Sequence, residues 1–286
     1  FRPGHLVGVE RRAGERPDPA FGPVGVTLRD ASFTYPGAAR PAFQGLTLDI
    51  PPGAFVAVTG PVGAGKSALA RGLAGGYGPD VGEILLAGQP ATAIAPRVVG
   101  YAPQDGYLFS GSVRENVLLA PDADAPPDQR ELDRLIELAG MTEDVEALPR
   151  GVETQIGELG MRISGGQRQR LGLARAAAAR RPGIPGLLIL DDPFSAVDVD
   201  TEARIVAHLS AAFGPDAPAG QRTTFVLFSH RLASFPGADL VVVLNRGRIV
   251  EQGRHADLLR AGGLYARIYD AQQRVEHGAS AEVSPR

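Results

Sequence analysis

With 29 basic and 32 acidic residues among 286, the chain has a formal net charge of −3 and offers no basic footprint for nucleic acid. That length suffices for one large domain or two small ones with an ample core, and no apolar run approaches the roughly 18 residues of a transmembrane helix. The absence of cysteine excludes disulfides and thiolate metal sites. Residues 1–22, rich in Pro, Gly and Arg without periodicity, read as a linker. The chain begins at Phe1 and shows no signal-peptide layout, so it is expected to be a portion of a longer protein. Apolar alternation starts at Val24-Gly25-Val26-Thr27-Leu28 and resumes at Leu46-Thr47-Leu48-Asp49-Ile50, and with Ile84-Leu85-Leu86 it predicts a small β-subdomain. Phe55–Thr59 is an apolar run of strand length, and Lys66–Leu73 carries apolar residues at helical spacing. From about 106 to 180 the pattern is helical: Leu132, Leu135, Ile136 and Ala139 share one face, and Gly140 sits at the C-terminal cap position. Strands return at Leu187–Leu190, Thr224–Phe228 and Leu240–Leu244 with helical stretches between them, which is α/β alternation. One domain is expected over 23–274, followed by a disordered tail over 275–286.

The segment Gly60-Pro61-Val62-Gly63-Ala64-Gly65-Lys66-Ser67 fits the phosphate-binding pattern G-x-x-x-x-G-K-[ST], between the expected strand and helix. Lys66 is the only lysine in the chain; every other basic residue is arginine. A loop wrapped around phosphates has room for a compact ammonium on a flexible stem and not for a planar guanidinium. Gly60, Gly63 and Gly65 permit backbone angles that turn successive N–H groups inward, and the helix opening through Lys66, Ser67 and Ala68 adds positive potential. Lys66 is therefore expected on the β- and γ-phosphates and the Ser67 hydroxyl on Mg2+.

Six further segments, in order, make residues 24 to 274 resemble an ATP-binding cassette (ABC) ATPase. Tyr35, within Phe33-Thr34-Tyr35-Pro36-Gly37, stands where that family stacks an aromatic ring on adenine. Tyr101-Ala102-Pro103-Gln104-Asp105 resembles the Q-loop, whose glutamine senses Mg2+ and water. Ile163-Ser164-Gly165-Gly166-Gln167 is similar to the signature L-S-G-G-Q, with Ser164 suited to cap a helix expected from Gln167 to Ala176. Leu187–Leu190 followed by Asp191-Asp192 resembles the Walker B strand, in which Asp191 holds Mg2+ directly or through water. Ser195-Ala196-Val197-Asp198 resembles the D-loop and Ser229-His230-Arg231 the H-loop. The resemblance implies a P-loop NTPase core, a RecA-like mixed sheet with flanking helices, carrying an N-terminal antiparallel β-subdomain and an inserted α-helical subdomain. It implies ATP and Mg2+ as ligands, with Lys66, Gln104, Asp192 and His230 catalytic and Ser67, Gln104 and Asp191 at the metal. The nucleotide set is Tyr35, residues 60–68 and, toward a second cassette, Ser164, Gly165, Gly166 and Gln167, because cassettes of this family work as head-to-tail dimers.

Within the family, Thr154–Gly160 resembles the exporter segment T-E-V-G-E-R-G, from which Gln155 and Leu159 depart. Leu108–Asn116 and Gly263–Tyr269 have the same character. This implies an exporter cassette at the cytoplasmic face of the cell membrane, fused to an N-terminal transmembrane domain. Asp192 departs from the pattern, since active cassettes carry glutamate there to polarise the attacking water. A carboxylate one methylene shorter falls about 1.5 Å short, and a misplacement near 1 Å can cost on the order of 100-fold in rate. The expectation is a slow site paired with a glutamate-bearing partner, a heterodimer being favoured over a homodimer. The rival readings are a backbone shift or second water that lets Asp192 serve, and a regulatory ATP-binding subunit that completes its partner's site.

Overall fold

The computed structural model describes residues 23–118, 129–158, 160–178, 186–214, 217 and 222–281. The linker expected over 1–22, part of the helical stretch, and Leu159 lie outside the described residues. β1 (Val26–Phe33) and β2 (Phe43–Ile50) pair antiparallel, with Val26 opposite Ile50 and Leu28 opposite Leu48, so their alternating apolar residues share one buried face. β3 (Phe55–Thr59) runs through the glycine loop into α1 (Lys66–Leu73). β4 (Val81–Leu86) then returns to β1 and β5 (Gln89–Pro90) pairs with β4, completing an antiparallel sheet in the order β2-β1-β4-β5.

α2 (Ala91–Val98) leads directly into β6 (Val99–Ala102), and the insertion follows. It contains β7 (Gly111–Ser112), α3 (Val113–Val117), α4 (Gln129–Leu138), α5 (Thr142–Glu146), β8 (Gln155–Ile156) and α6 (Gly165–Ala178). The helical reading holds for most of this region, although β7 and β8 set a two-stranded antiparallel sheet among the helices. α4 buries Leu132, Leu135 and Ile136 as one stripe, and Gly140 at φ 64° ends the turn beyond it. Arg175 of α6 reaches under the 107–116 segment and donates to the carbonyls of Asn116 (2.7 Å) and Tyr107 (2.8 Å). Burial pushes its guanidinium down to about 10.

The principal sheet adds β9 (Leu187–Asp191), α7 (Val199–Phe213), β10 (Thr224–Phe228), β11 (Leu240–Asn245) and β12 (Arg248–Gly253). Its order is β12-β11-β3-β10-β9-β6, parallel throughout except for the edge strand β12. Every residue of β3, β9 and β10 is buried, because helices cover one face and the antiparallel sheet with α1 covers the other. Val56, Val58, Ile189 and Phe228 cluster with α1 and the antiparallel sheet, whereas Ala57, Leu188, Leu190 and Leu227 cluster with α4, α6 and α7. The architecture is therefore the mixed sheet with flanking helices, antiparallel subdomain and inserted subdomain that the resemblance implies.

α8 (His255–Ala261) and α9 (Leu264–Ala281) follow the sheet. α9 runs to Ala281, past the start of the tail expected from Val275, and residues 282–286 of that tail lie outside the described residues. Tyr265 and Ala266 are buried and seed the helix, and propagation beyond them adds one hydrogen bond per residue until a breaker intervenes. Gly278 costs about 1 kcal/mol and does not stop it. Among the described residues no helix is long and apolar enough to cross a membrane.

Candidate functional site

The parallel strands all point their carboxyl ends at one edge of the sheet, where Gly60 follows β3, Asp192 follows β9 and Ser229 follows β10. Ligands of open α/β sheets bind at such an edge. Gly60 (φ 147°) and Gly65 (φ 101°) hold the loop in conformations that disfavour side chains. A Cβ at Gly60 would lie 2.0 Å from the Leu244 carbonyl oxygen, and one at Gly65 would lie 2.4 Å from that of Ala42. The loop is thus clamped between β11 and the entry to β2, and the Gly247 N–H also donates to Ala64 O at 3.0 Å. Gly63 (φ 77°) has open space around it and Val62 is fully exposed, so the crest of the loop faces solvent.

Lys66 Nζ donates to the carbonyls of Gly60 (2.7 Å) and Pro61 (3.1 Å), arching over the loop. Burial lowers its pKa, against the pull of Asp192 and Asp191. Ser67 Oγ donates to Asp191 Oδ1 at 3.0 Å, so the hydroxyl and the carboxylate expected at Mg2+ meet. Asp191 is 2 % exposed, and burial raises its pKa even though the Ser67 hydroxyl and Arg71 act the other way. The Tyr101 hydroxyl donates to the other Asp191 oxygen at 3.4 Å. Among the described residues the Gln104 side chain makes no hydrogen bond to Ser67 or Asp191; it is exposed, and the Gln104 backbone carbonyl accepts from Gln169 Nε2 at 3.4 Å.

Asp192 occupies the left-handed region at φ 50°, its N–H donating to Phe228 O at 2.8 Å. Its two carboxylate oxygens lie 2.8 and 3.0 Å from His230 Nδ1. An ionised carboxylate can only accept, which assigns the Nδ1 proton to His230 and leaves Nε2 free. Tyr35 is 37 % exposed, meeting Phe33 edge-on at 5.0 Å and Tyr77 at 5.9 Å, while Phe33 and Tyr77 stack at 3.6 Å. Arg71 of α1 lies beside both Tyr35 and Tyr101, which ties the aromatic cluster to the P-loop helix.

Ser164 caps α6 reciprocally: its Oγ accepts from Gln167 N (3.1 Å) and Gln167 Oε1 accepts from Ser164 N (2.8 Å). That box makes Gly165 the first helical residue, two positions earlier than the sequence suggests. Among the described residues no hydrogen bond or ion pair joins Ser164–Gln167 to the loop at 60–67. Gln167 turns to Asp144 (2.8 Å), and a Cβ on Gly166 would meet the Ala196 carbonyl at 2.6 Å. Sequence reasoning missed Gln169, which accepts from Ala196 N (3.0 Å) and donates to Ser195 Oγ as well as Gln104 O, joining the Q-loop and D-loop. Its signal was its place one turn after Gly165, on the face those glycines leave bare. Tyr101 and Arg71 carried no comparable signal, because their partners are remote in sequence.

A family model described as "ABC transporter" matches residues 43–195. The ATP-dependent lipid A-core flippase of Cupriavidus pinatubonensis is 39 % identical over 244 residues, 84 % of this chain and 40 % of that protein. The transport/processing ATP-binding protein ComA of Streptococcus pneumoniae is 37 % identical over 250 residues, covering 86 % of this chain and 33 % of ComA. Among solved structures, a bacterial Atm1-family ABC exporter with ATP bound superposes with a TM-score of 0.76 at 34 % identity, over 88 % of this chain and 42 % of that one. The chain thus spans about two fifths or less of the length of these relatives.

Proposed function

This chain belongs to the ABC transporter family, and on that premise we propose that it is the ATP-binding and ATP-hydrolysing cassette of an exporter. The observation that carries this reading is the meeting of Ser67 and Asp191 below a clamped glycine loop at the carboxyl edge of the sheet, with Lys66 held on the loop's own carbonyls. Loop N–H groups hold the phosphates, Lys66 exchanges its two carbonyl partners for phosphate oxygens, and Tyr35 offers a half-exposed ring to adenine. The donor set fits Mg2+, since it comprises a hydroxyl and a carboxylate that meet at 3.0 Å. Mg2+ commonly takes few protein oxygens and keeps water and phosphate oxygens as its other ligands. Ser67 and Asp191 would hold it, and the ion would supply neutralising charge at the phosphates.

His230, with Asp192 on Nδ1, presents Nε2 for the attacking water or the terminal phosphate. Engagement of both Asp192 oxygens by one ring supports the slow-site reading, because the carboxylate is occupied in orienting His230. Ser164 and Gln167 of the signature bond to each other and to Asp144 rather than to their own P-loop, which supports service to a second cassette in a head-to-tail dimer. That partner is expected to carry glutamate after its Walker B aspartate. Opening and closing of the pair would drive an N-terminally fused transmembrane domain from the cytoplasmic face of the membrane, a proposal supported by the exporters among the similar proteins. The exposed Tyr107 and Phe109, on the Q-loop side of the insertion, offer a surface for that domain.

The test is Mg-ATP turnover at high protein concentration beside a Lys66→Ala blank. Turnover well above the blank is the expected result; equality with the blank would refute hydrolysis. The Asp192–His230 pairing also favours a second reading, a regulatory subunit that holds nucleotide for long periods. Single-turnover ATP decay on the assembled complex separates the two.

A further inference from the structure

α9 lies beyond the segment matched by the family model, yet one of its side chains closes on the H-loop. Gln272 Oε1 accepts from the Leu232 N–H at 3.0 Å, and Gln272 Nε2 donates to the His230 carbonyl at 2.5 Å. The primary amide thus satisfies a donor and an acceptor two residues apart, as a neighbouring β-strand would. Among the described residues, Asp192 holds the His230 ring at 2.8 Å, Ser229 Oγ accepts from Arg231 N at 3.0 Å, and the other constraints on this loop come from the sheet and the D-loop. Ser229 N donates to Val58 O at 3.0 Å, and Arg231 donates to the carbonyls of Val197 and Ser195 and meets the buried Glu202 at 3.4 Å. None of these grips the His230 carbonyl. α9 itself is seated by Tyr265, stacked against buried Phe235 at 6.3 Å, with Ile268 and Tyr269 packed on the same core. Gln272 lies seven residues after Tyr265 and therefore on the seated face.

We infer that Gln272 is a positioning residue for His230, and that the C-terminal helix sets the aim of the catalytic histidine through this amide. The inference rests on the reading of the chain as an ATP-hydrolysing cassette. It gives the primary amide a role that its neighbours in size cannot fill: glutamate keeps the acceptor for Leu232 but sets a carboxylate against the His230 carbonyl, and leucine loses both bonds.

The test uses the 286-residue chain with Gln272→Leu, Gln272→Glu, His230→Ala and the Gln272→Leu/His230→Ala double variant, in single-turnover Mg-ATP hydrolysis. Each Gln272 variant is expected to slow the chemical step at least about tenfold while changing ATP affinity less than about twofold, as for a misaimed catalytic group. On the His230→Ala background, Gln272→Leu should change the residual rate less than about twofold, since the two residues act as a unit. Additive losses, or an unchanged rate in Gln272→Leu, would overturn the inference. Deuterium uptake gives an independent reading: peptides over 229–234 should exchange faster in Gln272→Leu while those over β9 and β10 stay unchanged, and unaltered uptake at 229–234 would also overturn it. If the wild type is no faster than Lys66→Ala, the hydrolysis reading fails, and the uptake experiment alone judges the clamp.

Discussion

Replacing Asp192 by glutamate tests the chemistry of the site at its least expected residue. Asp192 sits at the end of β9 with its N–H held by Phe228 O at 2.8 Å, a bond that the substitution leaves in place. The two carboxylate oxygens are 2.8 and 3.0 Å from one ring nitrogen of His230, so the shorter side chain spends its reach on that contact. Glutamate adds about 1.5 Å of reach, and placement errors near 1 Å are worth on the order of 100-fold. General-base contributions run from about 10² to 10⁴. Against this stands the left-handed backbone at φ 50°, which glutamate tolerates less well than aspartate. We expect Asp192→Glu to raise kcat for Mg-ATP at least about tenfold, about 1.4 kcal/mol of barrier, with KM little changed. The assay is phosphate release at high protein concentration, with Lys66→Ala subtracted and melting temperature recorded alongside. Equal rates in a folded variant would show that Asp192 already suffices and would refute the reach argument.

Three other substitutions probe other links. Gly60→Ala places a Cβ 2.0 Å from the Leu244 carbonyl oxygen, and such overpacking costs about 1–3 kcal/mol, so calorimetry should show a melting temperature several degrees lower and titration a loss of ATP binding. Ser164→Ala removes the N-cap of α6, worth about 1 kcal/mol, and should lower Tm by about 2–4 °C while reducing turnover in the assembled dimer more than nucleotide affinity. His255 is held below its ordinary value by burial, with Nδ1 2.7 Å from the Tyr265 hydroxyl and its ring edge-on to Tyr269. Its neutral form is the one that the fold favours, so its contribution to stability is present above the unfolded value near 6.5 and is lost as pH falls through the lower folded value. Thermal melts of His255→Gln should therefore lose less stability than the wild type between pH 7 and pH 5; parallel curves would contradict the assignment.

Local chemistry made much of this legible from the sequence. The P-loop declared itself because glycines, lysine and serine must stand at fixed intervals for one loop to hold phosphates. Strands β3, β9 and β10 showed as unbroken apolar runs because they are buried on both faces, and the Ser164 cap showed because its partner is three residues away. Contacts between remote residues were not legible: the Tyr101–Asp191 and Gln169–Ser195 hydrogen bonds join segments 90 and 26 residues apart. The length of α9 was not legible, because a polar helix and a polar tail have similar composition and the contact that seats it, Tyr265 on Phe235, joins residues remote in sequence. The Asp191 contact of Tyr101, three residues before the exposed Gln104, was equally hidden in the sequence.

The central claim is that the loop around Lys66, with Ser67 and Asp191 beneath it, binds Mg-ATP. Equilibrium titration of a fluorescent ATP analogue into the wild type and Lys66→Ala, each with Mg2+ and with EDTA, tests it most directly. The account predicts saturable binding that Mg2+ strengthens and that Lys66→Ala weakens at least about tenfold, the loss of about 1.4 kcal/mol of charge-assisted contact. Binding of equal strength in both proteins, indifferent to Mg2+, would contradict it.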